Sequence, residues 1–83
     1  MPLFMDVHES LPEGATVKDV AEAHRADLKV QDQYGVKYLR YWADEKNGKV
    51  FCLVEAPDAE SAAACHREAH GLTADEIYEV MQA

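Results

Sequence analysis

Cysteine, glycine, proline and basic residues are all scarce in this chain of 83 residues. Two cysteines, Cys52 and Cys65, are too few for the disulfide framework of a small secreted domain. No Cys-x-x-Cys occurs, which excludes the usual structural zinc patterns. Only 8 basic residues stand against 16 acidic ones, for a formal charge of −8. Such a chain repels phosphate backbones and anionic lipid surfaces, so neither nucleic acid nor membrane is an expected partner. The same field concentrates cations near the surface. No stretch approaches the ~18 apolar residues of a spanning helix. The first residues, Met1 to Asp6, carry no basic segment followed by an apolar one, so no signal peptide is expected. A cytoplasmic protein with reduced thiols is the expectation.

What is present reads as one domain over residues 1–83. Leu3 to Glu9 alternates as a strand, with Leu3, Met5 and Val7 expected on the core side and Phe4, Asp6 and His8 on the other. Thr16, with Asp19 three residues on, marks the start of a helix that runs to about Gln33. Its expected inner stripe is Val17, Val20, Ala21, His24 and Leu28, and Gly35 stops it. Val36 to Ala43 is a strand rich in β-branched and aromatic residues. Asn47-Gly48 turns the chain into a third strand, Lys49 to Glu55, apolar enough on both faces to be central. Asp58 caps a second helix with Ala59, Ala62, Ala63, His66 and His70 on one stripe, and Gly71 ends it. Ala74 to Met81 can form a fourth strand.

The order is βαββαβ. Right-handed crossovers and short loops then predict an α+β, ferredoxin-like domain, with a four-stranded antiparallel sheet in the order 4-1-3-2 and both helices on one face. The other face of such a sheet is bare. Strand two carries Val36, Tyr38 and Trp42 against Leu39 and Tyr41, and either set is too apolar to leave in water. A homodimer through that face is the expectation. A chain of this size buries only ~60% of its unfolded surface, so a second subunit or a metal would also add needed stability.

Four histidines carry the chemistry. His66 and His70 lie at i and i+4, so both imidazoles leave one side of the second helix. Arg67 after His66 excludes the His-Glu-x-x-His arrangement of metalloproteases. Against metal binding stands a simpler role, a pair favoured by the helix C-terminus. His24 has Asp27 at i+3, a pair able to share an ion, or it is a buried histidine bonded to a carbonyl or carboxylate. His8 shares its strand face with Asp6 and is otherwise a solvated or interface residue. Cys52 reads as a small core hydrophobe. Cys65 and His66 point about 100° apart and make a poor joint site. Nitrogen and carboxylate donors suit nickel, zinc, copper(II) or cobalt without choosing among them. Neither Ser10 nor Ser61 has a histidine beside it to activate it, which points to a binder rather than an enzyme. The alternative is a dimeric barrel enzyme or small-ligand binder, with Trp42, Tyr38, Tyr41 and His8 lining a cavity under the subunit interface.

The segments Phe4-Met5-Asp6-Val7-His8, Val50-Phe51-Cys52-Leu53-Val54-Glu55-Ala56-Pro57 and His66-Arg67-Glu68-Ala69-His70-Gly71-Leu72, continuing through Ile77-Tyr78-Glu79-Val80, resemble a family of small bacterial proteins. That family was long known only as a domain of unknown function and includes a nickel-binding actinobacterial member. The resemblance implies a ferredoxin-like homodimer that binds nickel for sequestration or detoxification. It also implies His8, His24, His66 and His70 as ligands.

Overall fold

A computed structural model of the chain describes residues 1–82. Its elements are β1 (Leu3–His8), α1 (Val17–Tyr34), β2 (Lys37–Asp44), β3 (Lys49–Glu55), α2 (Ala59–Ala69) and β4 (Glu76–Val80). The sheet order is β2-β3-β1-β4, with every neighbouring pair antiparallel, which is the expected topology.

Local chemistry sets the helix ends. Thr16 Oγ1 accepts from the Asp19 amide, and the Thr16 amide donates to Asp19 Oδ2 at 2.9 Å, a reciprocal cap for donors that helix geometry leaves open. Gly35 takes φ +65°, the left-handed turn that closes α1, and its amide donates back to Asp32 and Gln31 carbonyls. Asp58 Oδ1 accepts from the Ser61 amide at 2.8 Å and starts α2. At the other end of α2, the amides of His70 and Gly71 both donate to the His66 carbonyl, and Gly71 sits at φ +76°.

Cross-strand pairing decides which side chains share a face. Phe4 pairs with Val54, Asp6 with Cys52 and Ile77, and His8 with Val50. These residues, with Tyr38 and Tyr41, face the two helices. Phe4, Tyr38, Val50, Cys52 and Val54 join Val20 of α1 and Ala62 and Cys65 of α2 in one buried cluster. Leu3, Met5 and Val7 lie on the opposite side with Phe51, Leu53, Trp42 and Tyr78.

This reverses the face predicted for strand one. Hydrophobicity alone favoured Leu3, Met5 and Val7 for the core, yet the helices cover Phe4, Asp6 and His8. The prediction treated Asp6 as a solvent-facing residue, whereas the structure buries it completely. Strand two departs as well. The register slips between Tyr38 and Arg40, so the extra residue, Leu39, breaks the alternation. Tyr38 and Tyr41 end up under the helices, and Trp42 points away from them. Trp42, Tyr38 and His8 therefore line no common cavity. The stripe predicted for α1 is rotated too. Val17 and Leu28 are exposed, while Asp27, three residues beyond His24, is buried. A carboxylate on the inner face hid the true phase of the helix.

Candidate metal centre

Four elements bring five polar side chains together between the sheet and the helices. Asp6 comes from β1, Tyr38 from β2, Asp27 from α1, and His66 and His70 from α2 and its cap. Asp6, Asp27 and His66 are each 2% exposed or less. Buried ionisable groups survive only when paired, and here the pairing is dense. The His66 ring lies between two carboxylates, with Nδ1 at 2.8 Å from Asp27 Oδ1 and Nε2 at 2.7 Å from Asp6 Oδ2. Tyr38 donates its hydroxyl hydrogen to Asp6 Oδ2 at 3.0 Å, with the Ala62 carbonyl at 3.1 Å from the same hydroxyl, and its ring stacks on His66 at 4.6 Å.

His70 Nε2 completes the group, 3.2 Å from Asp27 Oδ1, 3.3 Å from Asp27 Oδ2 and 3.1 Å from His66 Nδ1. A first-row ion sits about 2.0–2.2 Å from nitrogen and oxygen donors, so two donors on one ion lie roughly 2.8–3.4 Å apart. Asp27, His66 and His70 already stand at that spacing. Two buried atoms also lack an aligned hydrogen bond: Asp6 Oδ1 and His66 Nε2. The 2.7 Å contact to Asp6 Oδ2 is thus close but off the ring N–H axis. His8, Cys52 and His66 form a second group whose donor atoms lie within 4.8 Å of one another. The donor chemistry of both groups fits a borderline transition metal.

The electrostatics follow from this packing. Burial alone would lower the His66 pKa, but the hydrogen bond to Asp27, the close contact with Asp6 and the neighbouring Cys52 outweigh it and push it up to about 11. Burial raises the Asp27 carboxyl, and the bonds from His66 and His70 more than reverse this, leaving it below the usual carboxylate range. Desolvation, then the charge on His66, lowers His8. Burial, followed by the carboxylates of Asp6 and Asp27, raises the Tyr38 hydroxyl. Burial raises both Cys52 and Cys65. The metal-free cluster is therefore an imidazolium clamped by two carboxylates. The Leu72 amide donates to His70 Nδ1 at 3.1 Å, so in a neutral ring the proton sits on Nε2 and points to Asp27. A cation bound at Nε2 would send that proton to Nδ1, and the Leu72 amide would then lose its acceptor.

The predicted ligands divide accordingly. His66, His70 and Asp27 come together. His8 reaches the same cluster from the sheet, its ring 5.2 Å from that of His66. His24 does not join it: its ring lies against Tyr41 at 4.7 Å, and Asp27 turns to His66 and His70 instead. Among the described residues the His24–Asp27 pair expected from the i+3 spacing forms no hydrogen bond, because α2 supplies the partners for the carboxylate. Three participants escaped the sequence reading: Asp6, Tyr38 and Cys52 as a donor. The alternation of β1, which places Asp6 beside His8, was the available signal. A cavity of ≈ 320 Å³ opens beside the cluster, reached by Asp27, His66, His70, His8, Cys52 and His24.

A model of the family described as nickel responsive protein, SCO4226-like, matches residues 4–80. The crystal structure of SCO4226 from Streptomyces coelicolor A3(2) is similar with a TM-score of 0.88 and 41% sequence identity, over 98% of each chain. No curated protein sequence matches.

Proposed function

This chain belongs to the SCO4226-like family of nickel responsive proteins, and from that premise we propose that it binds a transition metal ion, nickel, through Asp27, His66 and His70. The convergence of these three donors at coordination spacing carries the reading. The ion would replace the protons now shared between the imidazoles and Asp27. A buried ion cluster adds little stability compared with well-packed apolar side chains, so its presence in so small a core supports a binding role. His8 and Cys52 supply a further donor pair on the sheet side of His66. Sequestration of the ion, rather than turnover, is the role in view, and the acidic surface draws cations toward it.

We further propose a homodimer, supported by the apolar side chains of the helix-free sheet face. A cytoplasmic setting is supported by the two free, buried thiols. The described residues include no helix long and apolar enough to cross a membrane.

Calorimetric titration of tag-free protein with nickel is the test. Saturable binding is expected, and His70→Ala should weaken it by at least about tenfold. His70 suits the test because it is only partly buried and its loss spares the His66 clamp. The Leu72 amide resonance should shift on loading, since its acceptor on His70 must change. No saturable binding tighter than ~100 μM would overturn the proposal.

A further inference from the structure

The cavity beside the donors is larger than an ion requires. A water molecule occupies about 30 Å³ in the liquid, so three waters completing a coordination sphere take on the order of 100 Å³. The space here is ≈ 320 Å³, within the roughly 300–1,000 Å³ of small-molecule pockets. Its surface is mostly apolar, which suits neither a hydrated ion nor a store of water. Asp27, His66 and His70 all border it. Three protein donors also fall short of the four to six ligands that first-row ions take. Sites that only hold a metal close around it, whereas sites that present one keep a side open.

We propose that this cavity is a ligand site. A small, uncharged, largely apolar molecule with one nitrogen or oxygen donor enters it and presents that donor to the metal. Its body lies against Leu11, Val20, Tyr41 and Val50. The inference rests on the proposed metal site. An uncharged molecule is favoured because the wall is mostly apolar and would leave a buried charge on the ligand's body unpaired. The cavity also gives His24 a role that the donor cluster does not. Packed against Tyr41 with the two rings tilted by 37°, His24 supports the ring that forms part of the wall.

Cobalt(II) loading tests this, because its visible bands report the coordination sphere directly. The loaded protein is titrated with imidazole and with 4-phenylimidazole, which share a donor and differ by an apolar ring. Burial of that ring should make 4-phenylimidazole bind about tenfold tighter or more. Ala23→Phe fills the cavity from α1 without touching a donor, and should abolish the preference while leaving cobalt affinity intact. Equal affinity for the two imidazoles, with cobalt bound, would overturn the ligand site alone. Failure of cobalt, nickel and zinc to bind would overturn the metal reading and the ligand site with it.

Discussion

The two faces of the sheet invert the usual arrangement of polar and apolar residues. Beneath the helices lie two carboxylates and an imidazolium, all but sealed from water. On the bare side, Trp42 and Tyr78 are about half exposed, at 49% and 51%, beside Leu3, Met5 and Leu53. Charge inside is costly unless each group is matched, and apolar surface outside is costly unless something covers it. The contrast teaches that neither face is organised for the stability of a lone chain. On the proposed reading, one holds polar groups together for a cation and the other is left for a second copy of the chain.

The strongest way to break this comparison is to unpair the inner face. His66→Leu leaves Asp6 and Asp27 buried without their shared partner, and should lower the unfolding free energy by about 3–5 kcal/mol in urea titrations. A loss below about 1 kcal/mol would mean that the carboxylates are not held as the geometry indicates. Acidity probes the same clamp without mutation. His66 is raised from 6.5 to about 11, so its contribution is fully present below its unfolded value and is lost as pH climbs toward 11. Asp27 is lowered from 3.8, so its contribution is present above that value and is lost as pH falls through the depressed one. Metal-free protein should therefore be most stable in mildly acidic solution and weaken steadily into the alkaline range. Nickel affinity should run the other way and increase with pH, because the ion competes with the His66 proton. Urea midpoints and calorimetric titrations at several pH values check the crossing.

On the bare face the expected signature is different. Trp42→Glu should change folding stability by less than about 1 kcal/mol, yet shift a dimer to monomer in light scattering. Unchanged association would remove that face as the contact. The smallest effect belongs to neither face. Thr16→Ala removes the α1 cap and should cost about 1 kcal/mol with nickel affinity unchanged. It calibrates how much stability can be lost without touching the site.

Much of this molecule is legible in its sequence. The turn at Asn47-Gly48, the caps at Thr16 and Asp58, and the stops at Gly35 and Gly71 all stand where local chemistry puts them. The i, i+4 histidines on α2 also converge as their spacing requires. The site was only half visible. Neither Asp6 nor Asp27 reads as a core residue, because an isolated carboxylate strongly prefers water, and only a partner from a distant element reverses that preference. Leu39 was invisible as an irregularity, since an extra residue in a strand leaves composition unchanged and alters only the phase of the residues after it.

Element types, their order and the strand order come from the sequence alone, because periodicity, capping and crossover handedness act over short stretches of chain. Which face of β1 and which stripe of α1 turn inward was decided by tertiary structure. Asp6 and Asp27 go inside because α2 brings His66 between them, and residues that far apart in the chain meet only once the whole domain has closed.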